Sequence, residues 1–155
     1  MLFKTILVPV DGSKMSFKTA EVALSLAREV SGLVRLLYVV NSKYLQKILD
    51  LGMQDKTLAE LASQFRRTGE KALNYLENLA KEKYAPASVQ KLIVEGDPAD
   101  EIIHEARKGD YDLIVMAVKD RDHTTPYLLG HVTERVIESG ILPVLTVPLT
   151  FELES

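Results

Sequence analysis

The chain has 155 residues, 46% of them apolar and 26% charged, with a net charge of -3. That balance describes one globular domain, long enough to bury roughly two-thirds of the surface its unfolded form exposes, rather than a disordered or membrane-embedded chain. No basic stripe marks a nucleic-acid surface, and the absence of cysteine excludes disulfides, thiolate zinc sites and cysteine nucleophiles.

The opening MLFKTILVPVDG has too short an apolar run for a signal peptide, and no run reaches the length of a membrane span. A cytoplasmic protein is expected. Thr5 to Val10 reads as a first strand. Pro9 is awkward inside a central strand because it donates no ladder hydrogen bond, so the chain is expected to be leaving the sheet there, with Asp11 at the carboxyl end. From Ser13 to Val30 the apolar positions Phe17, Ala20, Ala23, Leu24, Ala27 and Val30 mark one helix face, with Ser13 as N-cap and Ser31-Gly32 as the stop.

Leu33 to Val40 is a second strand, apolar apart from Arg35. Asn41 to Lys56 lacks a clean period. Its Leu45, Ile48, Leu49, Leu51 and Met53 suggest a loose amphipathic segment, either a lid over a site or a surface insertion with a small apolar patch of its own. Thr57 to Lys83 predicts a long helix with Leu58, Leu61, Ala62, Phe65, Ala72, Leu76, Leu79 and Ala80 as its buried stripe. Val89 to Val94 is a third strand, more polar at its start and so nearer a sheet edge. In the helix that follows, Asp97 serves as cap, Pro98 as first residue and Asp100 as an acid at the positive end of the dipole.

Leu113 to Val118 is an unbroken apolar run, the pattern of a strand covered on both faces. A polar loop leads from it to Gly130, where a helix with Val132, Val136 and Ile137 on one side begins. Strand, loop and helix N-terminus in that order make a natural anion site. Pro143 to Val147 is the fifth strand, and a short polar tail follows the domain of residues 1–149. Strands alternating with helices throughout predict a doubly wound α/β fold with a parallel sheet and right-handed crossovers.

Several phrases, in order along the chain, resemble the universal stress protein family: ILVPVDGS at Ile6 to Ser13, GDPADEI at Gly96 to Ile102, DLIVM at Asp112 to Met116, LLGHVTERVI at Leu128 to Ile137, and PVLTV near the end. The resemblance implies a flavodoxin-like, Rossmann-like three-layer sandwich with strand order 3-2-1-4-5. Ligands in such sheets bind in the crevice where the winding reverses, between Asp11 and the Ala117 to Gly130 loop. ATP-binding members carry a loop of the form G, two residues, G, nine residues, G, then Ser or Thr. Aligned on LLG, Ala117 stands at the first glycine, Asp120 at the second, Gly130 at the third and His131 at the hydroxyl position, with Val132 beside it.

Only one of those four signature residues is kept. Ala117 is a mild change, but Asp120 adds a side chain and a like charge where backbone must approach a triphosphate. At about 4 Å and an effective dielectric near ~20, each unit of repulsion costs about 4 kcal/mol before salt screening, enough to abolish micromolar affinity. A divalent cation, or pairing with Lys119 or Arg121, would relieve it. The adenosine side is better matched: the resemblance assigns it to Asp11, with Pro9 before it, and to the backbone at Val39. Asp11 is equally readable as a turn-former or a cap for the next helix.

Asp120, Asp122 and His123 are close enough to suggest an oxygen-rich site for magnesium or calcium. Short charged runs in loops are as a rule simply solvated, and no dedicated metal site is assigned. No catalytic triad is suggested by spacing and no GxxxxGK[ST] loop is present. The resulting expectation is a non-enzymatic stress-response or signalling module with a degenerate nucleotide site, acting through dimerisation or a protein partner. The alternative is an ATP- or AMP-binding switch, or a slow ATP hydrolase, assisted by magnesium. Val144, Leu145 and Val147 would form an apolar edge strand, and a two-fold dimer pairing these edges is expected, as the resemblance also implies.

Overall fold

The computed structural model describes residues 3–52, 54–118, 128–148 and 150–154, the side chains of 55 and 128–130 excepted. Five strands alternate with helices: β1 (Thr5–Val10), α1 (Lys14–Val30), β2 (Leu33–Asn41), α2 (Ser42–Asp50), α3 (Asp55–Lys83), β3 (Ser88–Gly96), α4 (Pro98–Ala106), β4 (Leu113–Ala117), α5 (Leu128–Ser139) and β5 (Val144–Val147). The strands pair in parallel in the order β3-β2-β1-β4-β5, the doubly wound sheet expected of the sequence. No helix among the described residues is long and apolar enough to cross a membrane.

Alternate residues of each strand feed two cores. On one face Ile6, Val8, Val34, Leu36 and Val115 pack under α1 and α3, with Leu24, Leu73 and Leu76 fully covered. On the other, Leu7, Leu37, Ile114 and Met116 meet Ile102 of α4 and Val132 and Val136 of α5. Burying both faces explains why β1 and β4 read as continuous apolar runs.

Pro9 is accommodated by a different route from the one expected. The Lys4 carbonyl accepts from Leu33 N–H, beside β2, and the Thr5 carbonyl accepts from Asp112 N–H, beside β4. Odd-numbered residues of β1 therefore turn their backbone polar groups toward β4. The β1–β4 ladder runs only through Ile6 and Leu7, whereas β1 stays paired with β2 as far as Val10 opposite Tyr38. On that side the ladder ends at Leu7, the last residue before Pro9 with an N–H to give toward β4, and the β2 side, which Pro9 does not serve, keeps the chain in the sheet.

Helix ends follow local chemistry. Ser13 Oγ accepts from Ser16 N–H at 3.1 Å, capping α1, and Asp97 Oδ2 accepts from Asp100 N–H at 3.1 Å, capping α4. At the end of α1 the left-handed residue is Ser31, with φ 51°, rather than the glycine after it. Gly32 is required for space: a Cβ there would lie 2.5 Å from the Lys4 carbonyl oxygen. Two boundaries differ from the sequence reading near the site. Strand β4 ends at Ala117, and α5 starts at Leu128, two residues before Gly130, so that glycine lies inside the first helical turn.

Candidate functional site

The carboxyl ends of β1 and β2 and the first turns of α2 surround a cavity of about 350 Å³, lined by Asp11, Tyr38, Val39, Val40, Asn41, Tyr44 and Phe65. That lies within the usual range for small-molecule sites. Asp11 follows β1 and turns its Oδ1 back to accept from Ser13 N–H at 2.9 Å. The turn-forming role read from sequence is therefore real, and the carboxylate still borders the cavity. Burial, with the negative charge of Asp11 added to it, raises the Tyr38 hydroxyl above its ordinary pKa, so Tyr38 remains a neutral phenol across the physiological range.

Of the residues assigned to a nucleotide site from sequence, Asp11 and Val39 come together on this cavity. Pro9 is buried in β1. Ala117 is 5% exposed at the end of β4, and Val132 is buried against the second core. His131 is exposed on α5 one residue before it. Gly130 is in the first turn of α5. Asp120, Asp122 and His123, with Lys119 and Arg121, lie outside the described residues. Among the described residues no group of three or more histidines and acids is placed to hold a metal.

Sequence reasoning missed the aromatic part of the wall. The segment read as a loose stretch forms the regular helix α2, whose N-cap is Asn41: its Oδ1 accepts from Lys43 N–H at 3.0 Å and Tyr44 N–H at 3.2 Å. An asparagine before Ser-Lys-Tyr-Leu is a helix-start signal that was there to be read. Leu45 anchors α2 in the first core, and the ring of Tyr44 meets that of Phe65 on α3, centroids 5.8 Å apart and 48° tilted.

Beside the cavity a charge cluster ties three helices together. Asp97 Oδ1 lies 3.0 Å from Lys43 Nζ of α2, and Asp97 Oδ2 accepts from Arg135 of α5 at 2.9 Å; the same guanidinium reaches Asp100 at 2.6 Å. Partial burial works to raise the Asp97 pKa, but the bonds from Lys43, the Asp100 N–H and Arg135 outweigh it and hold the carboxyl below the usual aspartate range. The cation α5 carries is thus engaged by two carboxylates.

Sheet order and a cavity at the carboxyl ends of β1 and β2 define a doubly wound α/β domain, a class whose ligands bind outside the carboxyl ends of the strands. The chain belongs to the universal stress protein family, whose sequence profile matches residues 2–148. It is 35% identical over 147 residues to universal stress protein MJ0531 of Methanocaldococcus jannaschii, covering 94% of this chain and 82% of that one. It is 31% identical over 159 residues to MJ0577 of the same organism, covering 95% and 96%. The solved structure of MJ0577 superposes with a TM-score of 0.74 at 27% sequence identity, covering 98% of this chain and all of that chain. Two more distant structures share the fold: an Arabidopsis thaliana family protein with AMP bound (TM-score 0.65, 18% identity, 94% and 91% covered) and an Archaeoglobus fulgidus universal stress protein in complex with dAMP (TM-score 0.60, 20% identity, 94% and 98% covered).

Proposed function

We propose that this chain is a stress-response or signalling module that keeps the nucleoside half of an adenine-nucleotide site and has weak or no affinity for ATP. The reading is carried by the cavity at the ends of β1 and β2, walled by three aromatic rings and bordered by Asp11. A largely apolar pocket with a few polar groups suits a base and sugar better than a triphosphate. The AMP and dAMP bound in the two fold relatives are ligands of that kind. On the side the resemblance assigns to phosphate, Asp120 brings a like charge, and His131 replaces a hydroxyl with a bulkier ring. Arg135, on the same helix, is already paired with Asp97 and Asp100. The module acts by binding and association rather than catalysis, and self-associates through the edge of β5.

Thermal shift with adenosine, AMP and ATP, with and without magnesium, tests it. A ligand at a hundred times its dissociation constant adds about 2.7 kcal/mol of stability. AMP is expected to raise the melting temperature of the wild type and ATP to do little, while Asp120→Gly combined with His131→Ser restores a response to ATP. A strong wild-type response to micromolar ATP overturns the reading in favour of a nucleotide switch or slow ATP hydrolase.

A further inference from the structure

We infer that Tyr44 and Phe65 form a stacking wall for a flat purine base, which makes α2 and α3 together the elements that set base preference; this rests on the nucleoside reading above. Three rings, Tyr38, Tyr44 and Phe65, border one cavity whose remaining lining is Asp11, Asn41 and two valines. A single exposed aromatic needs no explanation, but rings converging on an open cavity beside a carboxylate offer both things a base needs. The tilted ring pair supplies a surface for its face, and the carboxylate accepts from an amino group or a sugar hydroxyl.

Both rings are held in place without a ligand. The Asn41 cap fixes the first turn of α2, Leu45 next to Tyr44 is 6% exposed in the core, and Lys43 on the other side pairs with Asp97. Tyr44 itself stays 49% exposed, so its ring is positioned by its neighbours rather than by its own burial. Phe65 is set by α3, which descends onto β2 one turn later: a Cβ on Gly69 would lie 2.5 Å from the Tyr38 ring. That close approach brings Phe65 to the rim of the cavity while Tyr38 lines it from β2. Stacking strength grows with ring area, so the wall favours a purine over a pyrimidine.

The test compares wild type with Tyr44→Phe, Tyr44→Leu and Phe65→Leu, titrated by calorimetry with AMP, CMP and ribose 5-phosphate. Because the chain has no tryptophan and six tyrosines, tyrosine fluorescence gives a second readout. Tyr44→Phe is expected to bind AMP within about twofold of wild type but to lose part of the fluorescence quenching. Tyr44→Leu and Phe65→Leu keep the apolar contact yet weaken AMP roughly five- to hundredfold, narrow the AMP over CMP preference, and leave ribose 5-phosphate nearly unchanged. If the leucine variants remain folded by melting temperature and bind AMP as the wild type does, the stacking wall is wrong and the nucleoside reading stands. If the wild type binds neither AMP nor adenosine, both are overturned.

Discussion

The Thr133 hydroxyl donates a 3.0 Å hydrogen bond to the carbonyl of Ala117, joining the last residue of β4 to the second turn of α5. These two residues bracket the segment in which the family resemblance locates the phosphate loop. Thr133 is 5% exposed, so the bond is shielded from water. Thr133→Val keeps the shape and removes the donor. It is expected to destabilise the fold by about 1–2 kcal/mol, whereas Thr133→Ser retains most of the bond. Urea denaturation of the three proteins reads the difference, and equal midpoints for Val and Thr would show that the bond contributes nothing.

Gly69 is in the interior of α3, where glycine ordinarily costs a helix roughly 1 kcal/mol relative to alanine. On an open helix face Gly69→Ala would therefore stabilise. Here the added methyl would stand 2.5 Å from Cδ1 and 2.8 Å from Cε1 of Tyr38, a ring only 8% exposed with little room to withdraw. Overpacking of this kind costs typically about 1–3 kcal/mol, so the net expectation is a lower melting temperature. A rise would mean that α3 lifts from β2 without penalty and that the cavity wall is softer than its packing suggests.

These two contacts also mark where sequence stops informing. Runs such as Leu113 to Val118 announce buried strands because period and composition are local properties, and the cap at Asp97 is legible for the same reason. Asp11 and Val39 were found through a motif. Phe65 and Tyr38 were visible only as apolar positions, since nothing in a linear pattern says that a helix residue and a strand residue 27 positions apart will wall one cavity. Arg35 shows the same limit. It read as a lone polar residue in an apolar strand, yet it donates to the Tyr111 hydroxyl at 2.7 Å and to Gln90 at 2.8 Å, while Tyr111 donates to the buried Glu105. Its partners lie 55 and 76 residues away, beyond the reach of any local pattern.

The Asp97 cluster makes part of the stability pH-dependent. Its carboxyl is held below the usual aspartate value, so the folded state favours the charged form more than the unfolded chain does. The contribution is fully present above the unfolded pKa of about 3.9 and is lost as pH falls through the lower folded value. Asp97→Asn keeps an N-cap of similar quality but loses the charge that Lys43 and Arg135 meet. The stability gap between wild type and Asp97→Asn, measured by denaturant titration, is therefore expected to be constant from pH 7 to about 5 and to close below about 4. A gap independent of pH would assign the effect to geometry rather than charge.

The edge strand β5 carries the proposal of self-association. Among the described residues it pairs with β4 alone, which leaves its other side as a sheet edge. Its side chains divide unequally: Val147 is 3% exposed and belongs to the core, Val144 is half-buried against the second core, and Leu145 is 39% exposed. Contact through this edge would thus rest on Leu145 and on the strand backbone, with Val147 supporting the strand from behind. A lysine at an edge position opposes strand-to-strand pairing because a second copy would bring a like charge against it. Leu145→Lys is expected to leave the melting temperature of the isolated fold within a few degrees while converting a micromolar dimer to monomer in sedimentation. A wild type that sediments as a monomer at the same concentration removes the edge from consideration, and a Leu145→Lys variant that stays dimeric places the contact elsewhere on the surface.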